Sequence, residues 1–309
     1  MTPPRLDARS YGAGCALVIL SGLILSLGVL CIRGAASLDA WSYLMWRGVG
    51  FGGVLAIVGL WRHGPALLTQ IRGMGGYAWI AAIAMVISQV GFVSAIQTTT
   101  VAEVFLLFSL APLMTAVIAR PVLGERIGLL GGVAIVMALG GVLLMSGLTS
   151  TDATAGAAAW TGRILALLGA FTFALYSLMI RGSRRQDIDP LLVACGVLTF
   201  FVSLGVLLWR GTPLISEPKA MALAFMHGAL VLSLGLVLFS RGSGVVPAAT
   251  LMMLAQTETV AAPIWAWLFF NETTTLAVIA GGALILTGVM LQAVDGARGS
   301  ASRVAHQST

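Results

Sequence analysis

The chain has 309 residues, 59% hydrophobic and 9% charged, with a formal net charge of +6 and a mean hydropathy of +1.00. A soluble domain carries about 25% charged residues, so this composition excludes a water-soluble protein and predicts an all-α polytopic membrane protein. The positive charge does not point to nucleic acid, because the arginines fall in short clusters between apolar runs, as topology signals do.

A membrane span needs about 20 apolar residues. The runs predict ten helices, near 11–32, 40–61, 75–97, 101–122, 127–147, 160–181, 191–209, 219–240, 245–270 and 274–294. Arg5 and Arg9 precede the first run, which is too long for a signal-peptide core and reads as a retained helix. Cys15, Cys31 and Cys195 lie inside apolar runs without CxxC or His-rich spacing, so they read as packing residues, and no metal or cofactor is expected. The segment 296–309 is polar and small and reads as a disordered tail. With the N-terminus inside, the cytoplasmic segments carry twelve Lys and Arg residues and the outer segments four. That bias places both termini in the cytoplasm.

The two halves resemble each other. Ile32-Arg33-Gly34 recurs as Ile180-Arg181-Gly182 at an offset of 148, and Leu123-Gly124-Glu125 recurs as Phe270-Asn271-Glu272 at an offset of 147. Residues 1–150 therefore form a first five-helix repeat and residues 151–295 a second. Five is odd, so the second repeat is inverted. Inverted repeats are the architecture of secondary transporters, which hold solute at the repeat interface near the midplane.

Two further patterns carry a family resemblance. Trp46-Arg47 lies in the second helix, and two apolar-Pro-apolar stretches, around Pro112 and Pro247, lead into Glu125 and Glu272. With the ten spans, these features resemble the EamA type of the drug/metabolite transporter superfamily over residues 11–294. Ser240–Ala249 and Gln256-Thr257-Glu258-Thr259 are similar to the YddG-type exporters of aromatic amino acids. The resemblance implies a basket of helices in the bacterial inner membrane. Its central cavity would be built largely from the third, fourth, eighth and ninth helices and used for outward export of amphipathic metabolites.

Glu258 lies in an otherwise uncharged stretch from Gly242 to Asn271. A charged acid at mid-bilayer costs roughly 2.5–3.5 kcal/mol even on the lenient insertion scale, so it marks a candidate site. Its carboxylate could pair with a substrate ammonium, or its carboxyl could carry a proton; packing glue is the bland alternative. Gln256 is two positions away, roughly 200° around a helix, so only one of the two can face a cavity squarely. Gln89, deep in the third helix, either lines the cavity or bridges helices. His227 and its repeat partner Trp79 are candidate walls for an aromatic solute, and Ser109 joins the substrate-binding set.

Thr98-Thr99-Thr100 can cap the fourth helix and Glu103 suits its positive N-terminal end, with a gate or vestibule role as the alternative. Arg47 is read as a structural bridge to backbone carbonyls or an acid. Pro112 and Pro263 are expected to kink the fourth and ninth helices. Gly124, Gly128 and Gly132, like Gly48 and Gly52, repeat every four residues and read as close-packing positions.

No P-loop pattern occurs, so a gradient would supply the energy, with proton coupling one route. The partners implied are a small-molecule substrate and the lipid bilayer. An intramembrane enzyme is disfavoured, because Ser243 and His227 are more than three helical turns apart. A lipophilic-cation exporter and a non-transporting scaffold are the alternatives.

Overall fold

The computed structural model describes the backbone of residues 8–123, 129–147, 153–182, 189–246 and 248–307. The described residues are helical and contain no strand. The first rod is α1 (Ala8–Ser26) continued by α2 (Gly28–Gly34), followed by α3 (Ala40–His63), the short α4 (Ala66–Arg72) and α5 (Gly76–Thr98). Next come α6 (Val101–Phe108), α7 (Ala111–Leu123), α8 (Leu129–Gly147), α9 (Ala153–Gly182) and α10 (Asp189–Arg210). A rod of α11 (Pro218–Met226), a π-helical segment (His227–Leu232) and α12 (Ser233–Ser243) precedes α13 (Ala248–Ala255), α14 (Thr257–Phe270) and α15 (Leu276–Gln307).

Eight of these helices, some taken across a break, are long and apolar enough to cross a membrane; Leu129–Leu144 is a shorter apolar helix. The predicted fourth and ninth helices are each interrupted, and α13 and α14 separately are too short to span. Helical geometry also continues to Gln307, through the segment set apart at residue 296 as a polar tail.

Local chemistry explains the ends. Asp39 caps α3 by accepting from the Ser42 N–H at 3.0 Å, and Thr100 caps α6 by accepting from the Glu103 N–H at 3.3 Å. Asn271 ends α14 in the left-handed region at φ 51°, where asparagine is better tolerated than other side chains. Its neighbour Glu272 sends its N–H back to Ala266 O at 3.3 Å.

The three mid-rod breaks share one hydrogen-bond pattern, although Thr172 also donates three residues back, to Gly169 O at 3.1 Å, within the unbroken α9. Ser26, Ser109 and Thr257 donate their hydroxyls to the carbonyls of Leu23, Leu106 and Leu254, three residues back, at 2.7, 2.7 and 2.6 Å. Beside each, a backbone N–H tightens to a three-residue bond: Leu27 to Ile24, Leu110 to Leu107, and Gln256 to Met253. A hydroxyl that takes a helix carbonyl competes with the ladder and bends it. Thr115, Ser177 and Thr199 bond four residues back instead and lie in unbroken helix. Pro112 falls in the first turn of α7, where the missing N–H costs little. Pro263 lies inside α14, seven residues beyond the break at Gln256.

Helices from opposite repeats pack side by side: α1 with α12, α3 with α10, α5 with α9, and α8 with α15. Small residues permit this. A Cβ on Gly48 would stand 2.9 Å from the Phe200 nitrogen, and one on Gly52 would stand 3.0 Å from the Gly196 carbonyl carbon. Gly132 has nothing within 4 Å and so is not a close-packing position among the described residues; Gly124 and Gly128 lie outside them.

Candidate functional site

Glu258 is the second residue of α14, in the first turn after the break at Gln256. That turn seats against α1, where a Cβ on Gly22 would lie 3.1 Å from both the Glu258 nitrogen and Thr257 Cβ. The carboxyl side chain is half-buried and makes no hydrogen bond or ion pair to any described residue. Gln256 behaves differently: it is 8% exposed, and its Oε1 accepts the Thr259 hydroxyl at 3.1 Å. Of the two polar side chains, the amide is held within its own helix and the acid is uncommitted.

A second polar group joins α3, α5, α10 and the π-helical segment. Arg47, 3% exposed, donates Nη2 to Gln89 Oε1, and Gln89 donates Nε2 to the Thr199 hydroxyl at 3.2 Å. Thr199 passes its own proton to Cys195 O at 2.8 Å. Gln89 therefore bridges helices. The Arg47 partner is a side-chain amide rather than the backbone carbonyl or acid expected, and its Nε has no hydrogen-bond partner among the described residues.

His227 Nδ1 and the Tyr43 hydroxyl share a hydrogen bond of 2.6 Å. On the other side of the ring, a Cβ on Gly28 would stand 2.5 Å from Nε2. Nδ1 is taken by Tyr43, and Nε2 faces the α2 backbone at Gly28. Trp79 stands apart from this group, half-exposed in the first turn of α5. Ser109 is buried at its break, with its proton committed to Leu106 O.

Two ion pairs fasten the repeats together on the face away from the chain termini. Thr100 accepts the Glu103 N–H, and the Glu103 carboxylate holds Arg163: Nη2 reaches Oε1 at 2.7 Å and Nε reaches Oε2 at 3.4 Å. The Thr99 hydroxyl adds a bond to the same carboxylate, and the Arg163 guanidinium lies 5.4 Å from the Trp160 ring centroid. Both charged side chains are 5% exposed.

The second pair is Arg33 Nη2 with Glu272 Oε2 at 2.8 Å, with side chains 23% and 15% exposed. Arg33 Nη2 also donates to Thr99 O at 2.9 Å, and Glu272 Oε1 accepts the Val101 N–H. A cavity of about 560 Å³ opens here, lined by Arg33, Gln97, Thr98, Thr99, Thr100, Ala159, Phe270 and Glu272.

Sequence reasoning missed Arg33, Glu272 and Arg163 as interacting residues, along with Tyr43 and Thr199. The repeat motifs did contain Arg33 and Glu272, but as markers of similarity. Their pairing across 239 positions has no local signature.

Long apolar helices, packed repeat against repeat around a few buried polar groups, define a polytopic membrane protein of duplicated design. The EamA-like transporter family model matches residues 12–147 and again 160–293. The chain belongs to that family and is a membrane transporter of small molecules. No curated protein matches it. A solved structure, described only as the crystal structure of a protein, is similar at 16% identity and a TM-score of 0.65, covering 90% of this chain and 96% of its own. At that identity the likeness supports the fold alone.

Proposed function

We propose that the chain is a ten-span secondary transporter of the bacterial inner membrane, with both termini cytoplasmic. It exports small amphipathic metabolites, amino acids including aromatic ones among them, by alternating access. The observation that carries this reading is Glu258: an acid within the membrane-spanning core, uncommitted to any described residue, at the start of a half-helix. Discontinuous helices place chain ends and free backbone groups beside transported solutes in carriers of this design. An ammonium group is the partner such a carboxylate lacks, and Glu258 is the first substrate contact. The matched break at Ser109 and the group around Gln89 and His227 shape the interior.

The same carboxylate supports a second reading, an exporter of lipophilic cations. Efflux from vesicles loaded with phenylalanine, threonine or a lipophilic cation discriminates the two. Phenylalanine efflux well above that of empty-membrane controls, lost in Glu258→Gln, supports the first. Cation efflux alone supports the second, and movement of none of the three removes both. Repeating the assay at two external pH values tests proton coupling.

A further inference from the structure

The far-face cavity combines features that the interior site does not use. Its floor is the turn between α5 and α6, and that turn holds two opposite charges by separate tethers. Arg33 is anchored on the Thr99 carbonyl at 2.9 Å, and Glu272 on the Val101 N–H. These tether atoms are two residues apart in the chain. If the ion pair parts, each charge keeps a backbone hydrogen bond, so neither is left without a partner.

The neighbouring pair sets the contrast. Glu103 and Arg163 are 5% exposed and bidentate, and separating them would strand two charges out of water. Arg33 and Glu272 are 23% and 15% exposed and border an open cavity, so water or solute can replace either partner. Of the two fastenings, this one can exchange.

We propose that this cavity is a second solute site, in which Arg33 and Glu272 give up each other for the carboxylate and the ammonium of an α-amino-acid zwitterion. The proposal rests on the amino-acid reading above and adds a site to it. An α-amino acid carries its two charged groups on one carbon atom, so it fits between a cation and an anion held on one short turn. A bidentate guanidinium–carboxylate contact suits Arg33, and Glu272 accepts the ammonium protons. The volume of about 560 Å³ lies within the range of small-molecule pockets. Phe270 stands on the wall, part-exposed, as a surface for an apolar side chain. Because Arg33 belongs to the first repeat and Glu272 to the second, a bound zwitterion bridges the same two halves as the ion pair it replaces.

The test is equilibrium binding to the full-length protein in lipid nanodiscs, carrying Glu258→Gln so that the interior acid does not contribute. The probes are phenylalanine, phenylethylamine (cation only) and 3-phenylpropionate (anion only). Phenylalanine is expected to bind at least tenfold more tightly than either analogue. Arg33→Gln should weaken phenylalanine at least tenfold and abolish the preference for it over phenylethylamine. Glu272→Gln should abolish the preference over phenylpropionate. Arg33→Lys, which keeps the charge and loses the fork, should give an intermediate loss.

If the neutral variants do not fold, the comparison of the three probes with Arg33 and Glu272 intact decides. Absence of phenylalanine binding, affinities within twofold across the probes, or folded neutral variants within twofold of their parent would overturn the proposal. Vesicle efflux by the unmodified chain separates the two readings. Efflux without charge-dependent binding removes only this site, and charge-dependent binding without efflux removes only the export reading.

Discussion

Replacing Glu103 by Gln tests whether the Glu103–Arg163 pair holds the repeats together. The substitution keeps the size of the side chain and one carbonyl acceptor, but it removes the charge that compensates Arg163. Two guanidinium contacts, at 2.7 and 3.4 Å, and the Thr99 hydroxyl converge on this carboxylate, with both charged side chains 5% exposed. An exposed pair is worth about 0–1 kcal/mol. Removing one partner of a buried pair costs roughly 3–5 kcal/mol, because the other charge stays buried. The retained acceptor sets the expectation near the low end, about 3 kcal/mol. Urea unfolding in detergent micelles, followed by the fluorescence of Trp160 and the other tryptophans, measures it. Glu103→Leu combined with Arg163→Met should recover most of the loss, since apolar replacement of a whole buried pair is often neutral. A single-variant cost under about 1 kcal/mol, or strict additivity in the double variant, would show that the pair is decoration.

Other expectations follow from the same geometry. Glu258→Gln removes no bond to a described residue, so unfolding should shift by less than about 0.5 kcal/mol while export of the correct solute falls at least tenfold; equal losses of both would mean the acid is structural. Gln89→Leu takes the acceptor from buried Arg47 and should cost about 2–3 kcal/mol in the same unfolding assay, with no cost if Arg47 finds other partners. Gly228→Val would set a Cβ 2.1 Å from Arg47 O and should prevent assembly of α3 against the π-helical segment, whereas Gly53→Ala meets nothing within 4 Å and should be neutral; yields of folded protein after size-exclusion chromatography compare them.

What could be read from the sequence was whatever depends on near neighbours or on period. Of the ten spans expected from apolar runs, eight are long and apolar enough among the described residues. The cap at Thr100 followed from cap chemistry three residues from Glu103. The partner of Glu103 did not, because Arg163 is 60 positions away and sequence spacing says nothing about which helix returns to that spot. Gln89 looked equally like a cavity residue and a bridge for the same reason, its partners being 42 and 110 positions distant. The breaks in the predicted fourth and ninth helices were hidden differently. Leu106 to Leu110 stay apolar apart from Ser109, and the polar run Gln256-Thr257-Glu258 marks a candidate site without marking a break, so composition does not show where one hydroxyl meets the ladder. The prolines drew attention to these helices, yet Pro112 sits just after its break and Pro263 well beyond the other.

The two interruptions bear on why only one half supplies an acid at its break. Ser109 and Thr257 are 148 positions apart, the offset of the Arg33 and Arg181 motifs, and each takes the carbonyl three residues back. Each half thus carries a break with a hydroxyl at the same register, although the tightened N–H follows that hydroxyl in the first half, at Leu110, and precedes it in the second, at Gln256. The chemistry is not repeated. At that same offset of 148 the position matching Glu258 is Leu110, in the turn between α6 and α7. Duplicated bends let an inverted pair of repeats exchange roles between inward and outward states, since each half can adopt the other's shape. A duplicated carboxylate would put two like charges in one low-dielectric interior, where repulsion destabilises the charged form of both. A single acid on a symmetric backbone keeps the interchange of shapes and leaves one negative charge for a cationic group to meet.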